Sequence, residues 1–216
     1  MNVSLNLIDA IIFDMDGTLW NASDSYAEVW NIALSHFGKK GHFTGSDMHP
    51  YMGMAIEDIM TGLLSEYEGL DHQEFLAKAM QIEVDLMPVR GGVLYPGVFD
   101  GLEKLSRHYK LFMMSNCGPT GLVNFMSFTK TRPFFIDSLT YGENPAPKSV
   151  NIQHLVMKHH LQHAVYVGDT QADCDESHKA GLPFVHAAYG FGQCNDPEWR
   201  ITSFGDFVSL FLEQYQ

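Results

Sequence analysis

Asp14 and Asp16 stand two residues apart in the run Ile11-Ile12-Phe13-Asp14-Met15-Asp16-Gly17-Thr18-Leu19. Two carboxylates at that spacing can supply a nucleophile, an acidic helper and oxygen ligands for a hard cation. Gly17 permits a sharp backbone turn and amide donors beside the acids, as phosphate binding requires. A calcium loop would need further oxygen ligands and a terminal Glu, whereas Trp20 and Asn21 follow here. The apolar run from Ala10 to Phe13 reads as a buried parallel strand. Such a strand delivers Asp14 to the carboxyl edge of a sheet, where open α/β folds place their ligands.

Two later segments repeat the pattern. Lys110 to Asn116 is an apolar strand ending in the Ser115 hydroxyl and the Asn116 amide. Ser115 can donate to a phosphate oxygen, and Asn116 can orient it or touch substrate. Ala164 to Thr170 ends in Gly168-Asp169, with Asp173 and Asp175 beyond it on an expected helix. Three strands that each end in an acid or hydroxyl imply one shared edge.

In this order and spacing the chain resembles the haloacid dehalogenase superfamily of phosphohydrolases over nearly its whole length. The resemblance implies that Asp14 is the nucleophile and Asp16 the general acid/base, and an acid at position 16 points to phosphate esters. It implies phosphate contacts from Gly17, Thr18, Ser115 and Asn116. It implies Mg2+ on Asp14, Asp169 and the backbone carbonyl of Asp16, with Asp173 supporting; Asp175 is expected to face solvent. Many relatives place a lysine directly before Pro-x-Pro, where this chain has Asn144-Pro145-Ala146-Pro147. Lys148-Ser149-Val150-Asn151-Ile152 matches the Lys-x-x-Asn-Ile form of other members, so Lys148 is assigned to the phosphate and to Asp14. The expected activity is magnesium-dependent hydrolysis of a small phosphate monoester through an aspartyl phosphate. The alternatives are a phosphomutase resembling β-phosphoglucomutase, or a non-catalytic binding protein on the same fold. Thr18, where such mutases more often carry valine, and a cap loop without arginine count against the mutase.

Composition bounds the rest. Thirteen basic against 26 acidic side chains give a net charge of −13, which argues against nucleic acid and anionic membranes as partners. The expected partner is a small phosphorylated metabolite, with the chain a monomer or homodimer. No run approaches the ~20 apolar residues of a membrane span. Met1 to Leu7 lacks a secretory pattern, so the expected location is cytoplasmic, and the Asn-x-Ser triplets at Asn2 and Asn21 are without consequence. Cys117, Cys174 and Cys194 are odd in number and scattered, as in reduced proteins. His159 and His163 have the spacing to share a helix face, but no further ligand sits near, and a solvated face is expected over zinc. No phosphate-binding Gly-x-x-x-x-Gly-Lys-Ser/Thr loop or dinucleotide fingerprint occurs.

These residues must be positioned by strands near 10–14, 110–115, 134–139, 164–168 and 183–187, alternating with helical segments. That alternation implies an α/β fold with a doubly wound parallel sheet, and the resemblance supplies the strand order 5-4-1-2-3. Residues 20–88 exceed one crossover and read as helical at Ser25–Phe37, Ala55–Tyr67 and Glu74–Leu86, with a loop at Gly41–Gly53. They resemble the helical cap of the phosphoglycolate-phosphatase-like branch. The expected division is a core of 1–19 and 89–216 and a cap of 20–88, hinged at Leu19–Ala22 and Pro88–Gly97. A closing cap would exclude water from phosphoryl transfer. Its loop Gly45–Ala55, with His49, Met52, Gly53 and Met54, is expected to read the substrate; Lys39 and Lys40 precede it.

Overall fold

The computed structural model describes residues 5–54 and 56–215. Ala55, expected to open a helix and close the cap loop, and Asn2 lie outside the described residues. The chain begins with β1 (Ala10–Phe13) and β2 (Trp20–Asn21), then α1 (Ser23–His36), α2 (Gly45–Met48), α3 (Ile56–Leu63) and α4 (His72–Arg90). It returns through β3 (Val93–Leu94), α5 (Val98–Leu105), β4 (Lys110–Ser115), α6 (Gly121–Thr129) and β5 (Asp137–Thr140). It closes with α7 (Lys148–Lys158), β6 (Ala164–Gly168), α8 (Gln171–Lys179), β7 (Phe184–Ala187), β8 (Trp199–Ile201) and α9 (Phe204–Leu212).

The main sheet is parallel throughout, in the order β5-β4-β1-β6-β7-β8. Counting only the five expected strands, this is the expected 5-4-1-2-3, with β8 added at one edge. Every residue of β1 is buried, because helices cover both faces of the sheet. Alternation along the strand sorts two cores. Ile11 and Phe13 join Leu111, Met113, Val165 and Val167 on one face, while Ala10 and Ile12 join Phe112, Met114 and Tyr166 on the other. Phe13 meets Phe207, Phe204 and Phe135 at ring separations of 5.5, 6.1 and 6.5 Å.

Helices α1 to α4 build a separate apolar cluster around Trp30, Ala33, Leu34 and Phe75. The stretch expected as a plain loop at Gly41–Gly53 contains α2 and a 3-10 turn at His49–Tyr51. Thr44 and Asp47 form a capping box there, which offsets the weak propensity of so short a helix. Helix α4 starts earlier than expected because Asp71 accepts from the amides of Gln73 and Glu74. It also runs through Pro88 to Arg90, since Pro88 lies in the last turn and Val84, four residues back, is exposed to water. Chain exit and return are tied together by β2 and β3, which pair antiparallel as Trp20 with Leu94 and Asn21 with Val93. The strand expected at 134–139 begins at Asp137, because Pro133 sets a 3-10 turn at Arg132–Phe134.

Among the described residues no helix is long and apolar enough to cross a membrane. Replacing Phe13 by Ala would leave a cavity in the centre of the larger core, so Phe13→Ala should lower unfolding free energy by about 3–5 kcal/mol. Denaturant unfolding measures this; a loss below about 1 kcal/mol would contradict the packing described.

Candidate active site

Register places the three motifs together. Phe13 lies opposite Met113 on one side and Val167 on the other, so Asp14, Ser115 and Asp169 emerge at one carboxyl edge. The Asp14 amide donates to the Val167 carbonyl (2.9 Å), which fixes the point where the chain leaves the sheet. Asp14, Asp169 and Asp173 are all buried, and each offers an oxygen within 4.8 Å of the others.

Lys148 is the counter-charge. It is the first residue of α7 and only 5% exposed, with Nζ donating to Asp14 Oδ1 (3.0 Å) and to Asp173 Oδ1 (2.5 Å). Burial disfavours its charged form, but Asp14 and Asp173 outweigh that and hold the ammonium charged. The ring of Tyr166 lies 5.6 Å from Nζ and adds a cation–π contact. Asn144 occupies none of this. It pairs with Asn151 (2.6 Å), whose amide returns bonds to the Asn144 and Ala146 carbonyls and pins the loop that delivers Lys148.

Asp173 has two tasks. Its second oxygen accepts from the amide and hydroxyl of Thr170 in the capping box of α8, so both of its oxygens are engaged. Asp169 differs: Oδ2 accepts from the amides of Phe191 (2.7 Å) and Gly192 (3.3 Å), while Oδ1 has no protein donor among the described residues. Behind it, Arg200 donates to His186 Nδ1 (2.8 Å). His186 therefore carries its proton on Nε2, which donates to the Asp169 carbonyl (3.0 Å). Three carboxylates beside one lysine leave a net negative, all-oxygen pocket, a donor set that suits a small hard cation such as magnesium.

The turn after Asp14 revises the expectation for Gly17 and Thr18. The Gly17 amide donates to the Trp20 carbonyl (2.9 Å) and the Thr18 amide to that of Met15 (3.3 Å), so both are already used inside the turn. Glycine is needed at 17 for another reason. Its φ is +77°, and a Cβ there would lie 2.2 Å from Asp169 Oδ2. The Thr18 side chain is fully buried, with its hydroxyl unpartnered, and Tyr189 donates to its carbonyl (2.8 Å). No donor within this turn engages the Asp16 carbonyl.

Asp16 is buried and accepts from the indole Nε1–H of Trp20 (2.9 Å). Burial, then the charge of Asp14, raise its carboxyl well above the ordinary range, and the Trp20 bond opposes them. Ser115 is buried at the end of β4. The Asn116 amide donates across to the Gly53 carbonyl (3.0 Å), joining the core to the helical unit. His49 adds a second contact, its ring 4.7 Å from that of Phe191 and its Nε2 3.2 Å from Ser23 Oγ. Of the other loop candidates, Met52 packs against the helical cluster and Met54 is exposed.

Other expectations resolve locally. Asp175 is exposed and accepts from Gln171. His159 and His163 share no helix face, because α7 ends at Lys158; His159 instead meets Asp137 (2.7 Å). The three cysteines are free thiols. The contacts made by Trp20, Phe191, Gly192, His186 and Arg200 have no counterpart in the sequence motifs. The Gly190-Phe191-Gly192 step after a strand was the available signal for the loop.

The chain is similar to known proteins in both sequence and fold. The family model described as haloacid dehalogenase-like hydrolase matches residues 11–187. A phosphoglycolate phosphatase of Rhodobacter capsulatus is 29% identical, covering 93% of this chain and 94% of its own. The pyrophosphatase PpaX of Listeria monocytogenes is 20% identical, covering 96% and 98%. The solved structure of a predicted phosphoglycolate phosphatase from Haemophilus somnus superposes with a TM-score of 0.81 at 22% identity, covering 94% of this chain and 98% of that one. A haloacid dehalogenase-like family protein of Streptococcus pneumoniae gives 0.79 at 22% identity, over 95% and 99%.

The acid cluster makes stability depend on pH in a definite direction. Burial, with the charge of Asp173, raises the Asp14 carboxyl from 3.8 to about 6 against the pull of Lys148. A carboxyl raised on folding holds its proton more tightly in the folded chain, so it stabilises at low pH and that contribution is lost between about pH 4 and 6. Magnesium should therefore raise the melting temperature more at about pH 7 than at about pH 4.5, and less in Asp14→Asn. Melts in magnesium and in chelator test this; an equal rise at both pH values, undiminished in the variant, would contradict it.

Proposed function

The chain belongs to the haloacid dehalogenase-like hydrolase family, and on that premise we propose that it hydrolyses a small phosphate monoester with Asp14 as nucleophile. The observation that carries the reading is the buried Asp14–Lys148–Asp173 contact beside Asp169 at one sheet edge. Asp14 and Asp169, with the Asp16 carbonyl that no donor of its own turn engages, would hold Mg2+; the bound ion would neutralise phosphate charge and orient it. Asp173 supports the site by holding Lys148.

The protein's own groups do the rest. Lys148 fixes the orientation of Asp14 and offsets negative charge on the transferring phosphoryl group, helped by the Ser115 hydroxyl. Asp14 attacks phosphorus in line, the ester P–O bond breaks, and Asp16 gives its proton to the leaving oxygen. A carboxyl held neutral by burial is suited to donating that proton. Asp16 then takes a proton from the water that cleaves the aspartyl phosphate, and Asp14 is restored. Residues 20–88 act as the lid, which Asn116–Gly53 and His49–Phe191 hold against the core.

The surroundings of Asp16 also bear on the substrate. Glu83 of α4 is largely shielded, burial pushes its carboxyl up to about 7, and its charge adds to that felt by Asp16. The basic residues of the helical unit are elsewhere: Lys39 bonds the Glu68 carbonyl, Lys78 Gln81 and Arg90 Glu28, and Lys40 is exposed. An ester of a neutral alcohol, such as a sugar phosphate or nucleotide, fits that setting better than one with a second anion next to the phosphate.

Hydrolysis of an ester panel with and without magnesium, beside Asp14→Asn, tests the proposal. Release should require magnesium, vanish in the variant and favour neutral-alcohol esters over phosphoglycolate and pyrophosphate. Near-normal turnover by Asp14→Asn, or by enzyme in chelator, would overturn it.

A further inference from the structure

We propose that Trp20 is a positioning residue for the reaction, its indole N–H selecting which oxygen of Asp16 carries the transferable proton. This rests on the reading of Asp16 as the acid that protonates the leaving oxygen. Trp20 Nε1 lies 2.9 Å from Asp16 Oδ1 in a fully buried contact. An indole N–H only donates, so Oδ1 is committed as an acceptor whether the carboxyl is charged or neutral. In the neutral form a proton on Oδ1 would weaken that bond, which favours Oδ2 as the proton-bearing oxygen, with the Tyr26 hydroxyl the other side-chain group that interacts with this carboxyl.

The indole has little freedom to move away. Its edge-to-face contact with Phe125 has a ring separation of 5.0 Å. Just before the return strand β3, even a methyl group at Gly92 would come within 2.8 Å of the indole carbon Cε3. The backbone is fixed as well, with the Trp20 amide on the Met15 carbonyl (3.3 Å) and its own carbonyl accepting from Gly17 (2.9 Å). Asp16 and its donor are thus held in one rigid turn, four residues apart.

During phosphoryl transfer the P–O bond to the leaving group breaks as the bond to Asp14 forms. The Oδ2 proton of Asp16 passes to the departing oxygen, leaving a carboxylate whose Oδ1 keeps the indole bond. Donor and proton are therefore aligned before the reaction starts, and the charge that develops on Asp16 meets a partner already in place. A tryptophan that only filled the core would carry the same packing without this consequence.

The test compares leaving groups. Alkyl phosphates need a proton at the departing oxygen, whereas 4-nitrophenyl phosphate releases a stable phenolate and needs little help. The quantity to compare is kcat/KM for both esters in wild type, Trp20→Phe and Asp16→Asn. Trp20→Phe should lose roughly 10- to 100-fold on the alkyl ester and under about threefold on the aryl ester, in the same sense as Asp16→Asn but less severely. Should the smaller ring unsettle the core, 3-benzothienylalanine at position 20 keeps the indole shape without the N–H and carries the same expectation. Equal losses on both esters in the Trp20 variants, with Asp16→Asn still selective, would make Trp20 purely structural and overturn the inference. An Asp16→Asn enzyme that loses both esters equally would refute the acid role of Asp16 and this inference with it.

Discussion

A buried ammonium between two buried carboxylates is the contact on which the rest of the molecule depends. Lys148 reaches Asp14 from the first turn of α7 and Asp173 from the first turn of α8, so one side chain ties a strand end to two helix starts. Removing one member of such a group would strand an uncompensated charge, which costs more than the intact arrangement contributes. Around it the fold supplies a carboxyl edge at which three strands end within two residues of one another in register. The loop at Phe191–Gly192 then donates its amides to Asp169.

Proximity of like charges is the constraint that this arrangement manages. Asp14, Asp169 and Asp173 lie closer together than ionised carboxylates tolerate without counter-charge. Lys148 balances one of them, and amides and a threonine hydroxyl satisfy others. The remaining negative potential would draw in a divalent cation, and that ion with Lys148 would offset the charge of a phosphate. A net charge of −13 repels an anionic substrate on average, so a bound cation together with Lys148 would have to reverse the sign locally.

The parallel core was legible because its strands are apolar runs, three of them ending in or followed by an acid or hydroxyl, whereas the strand order came from the family resemblance. Asp14, Asp169 and Ser115 could be read from those ends. Lys148 was found through its local pattern, although the common position holds Asn144, which the structure uses to fix the loop with Asn151. Less visible was what backbone donors do. The spacing marks Gly17 as an amide donor for phosphate, but hydrogen bonds inside the turn take that amide, and glycine is required by positive φ and by Asp169. The three-residue strand β8 is too short for a periodic signal, which hid Arg200 and its bond to His186. Trp20 reads only as a residue of the expected hinge Leu19–Ala22; its polar edge has meaning only once the turn folds it over Asp16.

The central claim is that Asp14 forms a covalent bond to phosphorus, and trapping that bond tests it most directly. Enzyme mixed with its preferred ester and magnesium, quenched in acid within a turnover and digested, should yield the Asp14 peptide heavier by one phosphoryl group. The adduct should be cleaved by hydroxylamine, as an acyl phosphate is, and be absent from Asp14→Asn. Turnover of the ester with Asp14 never modified, or with the phosphoryl group on a different residue, would contradict the account.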